Sequence, residues 1–458
     1  MAVTFLDTTL RDGAQGIGIH FTMQDKMDIT RQLDSFGIDY IEGGFPLASE
    51  HESEYFRKAK TLNLKHAKLA AFGSTRRPGT NAEHDSHIQA LLDAETPAVV
   101  VVGKGWDSHV RKVIGTDLEE NLRMIGDSIA SFKRRDREVI IDIEHFFDGY
   151  LNNPAYSLQV LRAALDAGAD WVVLCDTNGG ILPQQISEIF AGLQDNGISP
   201  ERLGIHCHND LECGVACSLA AVAAGVRHVQ GTSNGIGERC GNANLISIIP
   251  NIALKMGLDM QCKPQLPQLT LLSRYISEKT NQVPERRQPY VGDAAFAHKA
   301  GQHADVIMKD SILMEHIDSA IVGNQRHLVV SGLAGRASVL PLLQELEPSR
   351  GFDKNSPEVA QLLEIVKHKE AKGYLYEAAS ASVELEALRV LGTYQALFEL
   401  LNYHIEIFRT REFESQTVGR LFLKAPHHGA LLELMGAGVG DGPVAMLDAA
   451  IRNALSLR

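Results

Sequence analysis

Short runs of β-branched and aliphatic residues alternate with longer amphipathic stretches from the N-terminus to about residue 255. That alternation is the signature of repeated βα units around a parallel sheet. The strand candidates are TFLDTTL (4–10), YIEGGFP (40–46), KLAAFG (68–73), AVVVVGKG (98–105), EVIIDIEHFF (138–147), WVVLCDTNG (171–179), LGIHCHND (203–210) and HVQGTSNGIGE (228–238). Each is followed by a stretch long enough for a crossover helix, such as MQDKMDITRQLDSFG after the first and LQVLRAALDAGA after the fifth. Eight such strands favour a closed (β/α)8 TIM barrel over an open doubly wound sheet.

Past the barrel the pattern changes. Residues 264–400 mix helical stretches (PQLTLLSRYISEKTN, SPEVAQLLEIVKHKEAKGYLYEAASASVELEAL) with a loop, VGDAAFAHKAGQHADVI, rich in His, Gly and Ala. From about 401, LNYHIEIFRT and TVGRLFLKA followed by GPVAMLDAAIRNALSL predict two or three strands and a terminal helix. The expected division is an α/β barrel over 1–260, a helical linker over 261–400 and a small α+β unit over 401–458.

Composition narrows the partners. The chain has 458 residues and a formal net charge of −13, which argues against nucleic acid or an anionic membrane as the main partner. An anionic small substrate stays open, since it needs only local positive charge. The six cysteines form no C-x-x-C pair and suggest neither a zinc ribbon nor a disulfide framework. With no basic and apolar leader in MAVTFLDTTLRDG and no apolar run of membrane-spanning length, a soluble cytoplasmic protein with reduced thiols is expected.

The polar residues fall at the carboxyl ends of the predicted strands: Arg11 and Asp12, Glu42, Glu144, Asp176 and Thr177, His206 and His208, Asn234 and Glu238. In a barrel all of these converge on the face where active sites are built. His206 and His208 lie two apart, on one face of a strand, and with Asp12 they would make a metal site. Asn242 in GIGERCGNAN would add an amide oxygen, and such a mixed donor set suits Mg, Mn or Zn. Arg11 reads either as an oxyanion or carboxylate partner or as half of an ion pair with Glu42; the two are compatible. Glu144 reads as a ligand clamp, a base or a rim carboxylate. Thr177, in DTNGG, offers a hydroxyl to a carboxylate, against the alternative of a simple turn. His298 and His303 flank a glycine-containing loop suited to bringing an acid/base group to the barrel mouth, although solvated loop histidines are common.

With these residues in view, the chain resembles the metal-dependent Claisen-type synthases that include the isopropylmalate, homocitrate and citramalate synthases. LDTTLRDGAQ, YIEGGFP, AFGSTRR, GKGWDSHV, EHFFDGY, CDTNGG, HCHNDLECGVA, GIGERCGNANL, AFAHKAGQHADV and EHIDSAIVGN look like family blocks in order, over about residues 3–340. RDGAQ, in place of RDGEQ, is nearest the longer type of citramalate synthase.

The resemblance implies an acyltransferase that condenses acetyl-CoA with a 2-oxo acid, pyruvate first, to a 2-alkylmalate such as citramalate. It implies metal ligands Asp12, His206 and His208 with Asn242 on or near the ion, and Arg11, Glu144 and His303 in catalysis. Gln15, Glu42 and Thr177 would serve substrate binding, with Glu42 holding Arg11. It also implies a homodimer, with His303 reaching the neighbouring subunit's barrel.

Three departures stand out. FPLASEHESE follows YIEGG where relatives have WPGSNPKD, Met314 replaces a tyrosine in the EHID block, and 401–458 resembles one half of a two-part regulatory domain. Feedback by leucine or isoleucine is therefore not expected. The rival readings are an isopropylmalate- or homocitrate-type synthase, a synthase for another oxo acid, a metal-dependent acyl-CoA lyase, and a binding homologue without turnover.

Overall fold

The computed structural model describes residues 2–298, 303, 306–307, 309–328, 335–377, 379–409, 416–427 and 430–456. Its contacts group the chain into two units, one of 1–298 with 309–328 and one of 299–308 with 329–458. The sequence reading drew three segments. The grouping differs because the helix Leu269–Lys279 buries Leu269, Leu272 and Ile276 in the same core as the barrel strands.

In the first unit β1 (Thr4–Asp7), β2 (Tyr40–Gly44), β3 (Lys68–Ser74), β4 (Ala98–Lys104), β5 (Glu138–Glu144), β6 (Trp171–Asp176), β7 (Leu203–Cys207) and β8 (His228–Gly231) form a closed parallel barrel, with β1 pairing β8. All eight expected strands are present, but most end earlier than their sequence runs. Their polar tails leave the sheet and become the loops of the mouth.

The strands look uniformly apolar because both faces are covered. Leu6, Tyr40, Ala98, Val100, Ile140 and Val173 form one cluster inside the barrel. Their neighbours Phe5, Ile41, Val99, Val101, Ile141 and Val172 pack with the helices outside. Counting two residues at a time along the inner phase leads from Tyr40 to Glu42 and from Ile140 to Asp142 and Glu144. The interior thus changes from apolar to ionisable toward the carboxyl ends.

Local signals fix the connections. Thr22 and Asp25 form a reciprocal cap at the start of the helix Met23–Phe36, and Gly37 ends it in the left-handed region at φ 88°. The pairing of β2 with β3 shifts register between Glu42 and Gly44.

At the amino end of the barrel His228 is fully buried, with its ring stacked on Trp171 at 5.0 Å. Its Nδ1 is 3.1 Å from Thr4 Oγ1, and its Nε2 has no hydrogen-bond partner among the described residues. Burial lowers the imidazole pKa to about 3. The unfolded chain therefore binds a proton near the usual value of about 6.5 that the folded chain refuses until near 3, so stability rises with pH between them. Urea denaturation is expected to show stability falling by up to about 1.4 kcal/mol for each pH unit below that usual value. The slope should be shallower in His228→Gln; an unchanged slope would assign the acid sensitivity elsewhere.

Two further pieces complete the first unit's strands: β9 (Ala297–His298) pairs in parallel with β10 (His327–Leu328). In the second unit, helices Arg336–Leu346, Pro357–Glu370 and Ser380–Leu391 share a core of Val339, Leu343, Val359, Leu362 and Val383. The antiparallel sheet β11 (Glu399–Phe408), β12 (Gln416–His427) and β13 (Ala430–Gly440) follows. The helix Pro443–Leu455 covers one face of it, setting Met446, Ala450 and Ala454 on Leu421, Leu423 and Ala425. Gly436, Gly438 and Gly440 alternate along β13 because the helix backbone lies against them: a Cβ at Gly436 would overlap the Ala450 carbonyl oxygen. No helix among the described residues is long and apolar enough to cross a membrane.

Candidate active site and metal centre

Asp12 follows β1 in the turn that enters a short 3-10 helix, and His206 and His208 straddle the end of β7. His206 Nε2 stands 3.3 Å from Asp12 Oδ2, and His208 Nε2 stands 4.0 Å from the same oxygen. One ligand atom from each of the three falls within 4.8 Å of the others, and all three residues are buried. His208 lies one residue past the strand and is held by a backbone bridge to Asn242. The Asn242 amide donates to Ile236 O at 3.2 Å, while its Oδ1 is buried with no hydrogen-bond partner among the described residues. A buried carbonyl oxygen without a donor, on a residue whose backbone is bridged to His208, is a condition a cation would relieve. The donor set therefore fits a divalent metal.

The surroundings prepare these ligands. Gln230 Nε2 donates to Asp142 Oδ1 at 2.8 Å, which turns Gln230 Oε1 toward His206 Nδ1 at 3.0 Å. An amide oxygen only accepts, so Nδ1 carries a proton and Nε2 is the ring nitrogen turned toward Asp12, the one that would meet an ion. Burial alone would raise the Asp12 carboxyl, but Arg11 and the imidazoles outweigh it and hold it far below the carboxylate range. His206 is raised, its desolvation outweighed by Asp12. His208 is pushed down to about 4 by burial and by His206.

Arg11 stands beside this group with its plane fixed. Its Nε donates to Glu42 Oε2 at 2.7 Å, its Nη1 lies 3.4 Å from Asp12, and its guanidinium carbon sits 4.0 Å over the Phe72 ring. Glu42 is fully buried, and burial pushes its carboxyl up to about 7 against the pull of Arg11. The ion pair and the functional reading of Arg11 are thus compatible in space, as the sequence left open.

Glu144 ends β5 in register with Lys104 at the end of β4, and the two side chains form an ion pair. Thr177 Oγ1 accepts the backbone N–H of His145 at 2.8 Å, which leaves its own hydroxyl hydrogen to donate elsewhere. Asp176 performs the turn role that the sequence allowed, accepting the N–H groups of Gly180 and Ile181. Arg239 clamps the mouth with two bonds to Asp210, at 2.8 and 2.9 Å, and one to the carbonyl of Thr177 at 2.9 Å.

Other expected positions of the first unit fall outside this group. Asn234 bonds Ser273 and Ser277 of the helix Leu269–Lys279, and Glu238 is exposed. Gln15 is exposed in the turn Gly13–Gln15. His298 is spent on Glu315 at 3.1 Å. His303 belongs to the second unit and is exposed, and Met314 is 37% exposed after the turn Ser311–Leu313. Asp142, Gln230, Lys104, His109 and Arg239 are contributors the sequence reading did not single out.

A closed parallel barrel with an acid–imidazole cluster and an arginine at its carboxyl mouth defines a class: a TIM-barrel protein with a candidate divalent-metal centre. Comparison with known proteins narrows it. The HMGL-like family model matches residues 2–276, and the model described as homocitrate synthase post-HMGL domain-like matches residues 290–373. The (R)-citramalate synthase of Aquifex aeolicus (strain VF5) is 47% identical over 453 residues, 99% of this chain and 85% of that one. That of Streptomyces coelicolor is 45% identical over 455 residues, 98% of this chain and 83% of its own. Among solved structures, the Bacillus subtilis HMG-CoA lyase superposes with a TM-score of 0.54 at 19% identity, covering 62% of this chain and 96% of that one, a likeness of fold. The chain belongs to the HMGL-like family.

Proposed function

We infer that this protein is an acyltransferase that condenses acetyl-CoA with pyruvate to give citramalate and CoA. The observation that carries the reading is the Asp12–His206–His208 cluster beside the Arg11–Glu42 pair, in a chain 41–47% identical to five (R)-citramalate synthases.

Asp12, His206 and His208, with the Oδ1 of Asn242, would hold a Mg, Mn or Zn ion. Bound there, a divalent cation supplies Lewis-acid polarisation of the oxo acid's carbonyl. The hydroxyl of Thr177 donates to the oxo acid's carboxylate. Glu144 and His303 are the groups for taking a proton from the acetyl methyl, after which the enolate carbon bonds to C2 of pyruvate. Arg11, fixed by Glu42 and Phe72, donates to the oxygen that gains charge. Hydrolysis of the thioester then releases CoA and makes the sequence irreversible. Gln15 is proposed as a further substrate contact at the mouth. Six unpaired cysteines suit a reducing, cytoplasmic setting.

The test is thiol release from acetyl-CoA with a panel of oxo acids and metal-replete protein. Pyruvate should be the best acceptor. A preference for 2-oxoisovalerate or 2-oxoglutarate would move the chain to another synthase type, and cleavage of an acyl-CoA without condensation would make it a lyase.

Thr177→Val keeps the shape and removes the hydroxyl. Losing a hydrogen bond to a charged group costs about 1.5–3 kcal/mol, so kcat/KM for pyruvate should fall roughly 10- to 100-fold. The loss should appear mainly in KM and be largely restored in Thr177→Ser. The exposed His303 supports a homodimer in which it serves another copy's barrel; light scattering that finds a fully active monomer would remove that assignment.

A further inference from the structure

A second cluster stands at the mouth, away from the residues that would hold the catalytic ion. His109 ends the short helix Asp107–His109 after β4, Glu144 ends β5, and His145 follows it. One ligand atom from each lies within 4.8 Å of the others. The two imidazole rings have centroids 4.2 Å apart.

Both rings are held in place. Trp106 stacks on His109 with centroids 5.2 Å apart. The Nδ1 of His145 lies 3.0 Å from the Asp148 carboxylate, which also accepts from Asn178 Nδ2 at 3.0 Å. A carboxylate accepts the Nδ1 proton and leaves Nε2 with its lone pair, the arrangement that orients metal-binding imidazoles. His145 also adopts the left-handed region at φ 55°, a strained backbone for a residue with a side chain. His109 Nδ1 is buried and has no hydrogen-bond partner among the described residues. Nothing in the condensation chemistry requires two imidazoles held this close, tilted at 48° to one another, at this point.

We propose that His109, Glu144 and His145 form a second metal site, for a divalent transition metal of the imidazole-binding class such as Zn, Co or Ni. With one carboxylate oxygen against two imidazoles, and without the amide oxygen that Asn242 would bring to the Asp12 centre, the site suits magnesium and calcium less well. The Lys104 ammonium engages Glu144 Oε2, which leaves Oε1 for an ion. The nearby positive charge weakens the site, and with three donors against the four of Asp12, His206, His208 and Asn242 it fills after that centre. One consequence rests on the function proposed above: an ion here withdraws Glu144 from acid/base work, so excess transition metal inhibits where excess magnesium does not.

The test is equilibrium dialysis of the full-length, metal-stripped chain against cobalt(II), with visible absorption to report imidazole ligation. The wild type should take up a second, weaker cobalt ion, and Asp12→Ala should keep that weaker ion while losing the tighter one. His109→Ala should lose the weaker ion alone. Asp148→Ala should weaken it by roughly 10- to 100-fold, as removal of an orienting partner does. Lys104→Met should tighten it, a gain that misfolding cannot imitate. A wild-type chain that binds a single cobalt ion, or a second ion indifferent to both His109→Ala and Lys104→Met, would overturn the proposal. Cobalt bound at this site without loss of turnover would keep the site and remove Glu144 from the reaction.

Discussion

Arg11→Lys is expected to lose about 10²- to 10³-fold in kcat, the cost of removing a donor aimed at developing negative charge. The structure explains why the retained charge does not rescue it. Arg11 makes simultaneous use of Nε for Glu42 and of its planar face against Phe72, and this fixes where its terminal nitrogens stand. A lysine ammonium is a single point on a flexible stem; it can answer Glu42 or the substrate oxygen but not both at fixed distance. Metal content and melting temperature should stay near those of the wild type, because Asp12 and both imidazoles remain. Near-native kinetics in this variant would make Arg11 a purely structural partner of Glu42.

Asp12→Ala should be more damaging, on the order of a thousandfold or more, because it removes the carboxylate of the donor set and with it several kcal/mol of Lewis-acid assistance. EDTA treatment of the unaltered chain should reproduce the loss, and Mg, Mn or Zn should restore activity to that chain and not to the variant. The two variants separate by metal analysis: Arg11→Lys keeps the ion, Asp12→Ala does not. Full activity of the EDTA-treated chain would sink the metal-dependent reading.

The barrel was legible because its strands are short β-branched runs separated by helical periodicity, and the strand count decided closure. The strand ends were less so. In HVQGTSNGIGE the alternation of small and polar residues continues past Gly231, where the chain has already turned into the loop that carries Asn242. Asp12, His206 and His208 were readable as a group from their strand-end positions. Asp142 was hidden inside VIIDI, where one carboxylate among aliphatic neighbours looks incidental. Its signal was phase, since it stands two residues after the inward-facing Ile140, and Gln230 stands likewise after His228. His109 ends a three-residue helix and Arg239 lies in a loop, and in neither place does spacing carry such a phase. β13 is the third of the two or three strands expected and was left open because glycines replace the β-branched residues that usually mark a strand.

Those β13 glycines shape how this part of the chain can vary. A contact made by side chains can drift, one aliphatic group exchanging for another of similar volume. Where a helix backbone rests directly on a strand backbone, the fit depends on atoms that are missing, and every possible replacement adds some. A saturation scan of 430–440 should therefore return a comb: Gly436 and Gly438 intolerant even of alanine, with the exposed Leu431, Met435 and Val439 on either side of them accepting most residues. The unit is specified by vacancy at alternate positions, and its sequence will look least informative to a hydrophobicity scale where its tolerance is lowest.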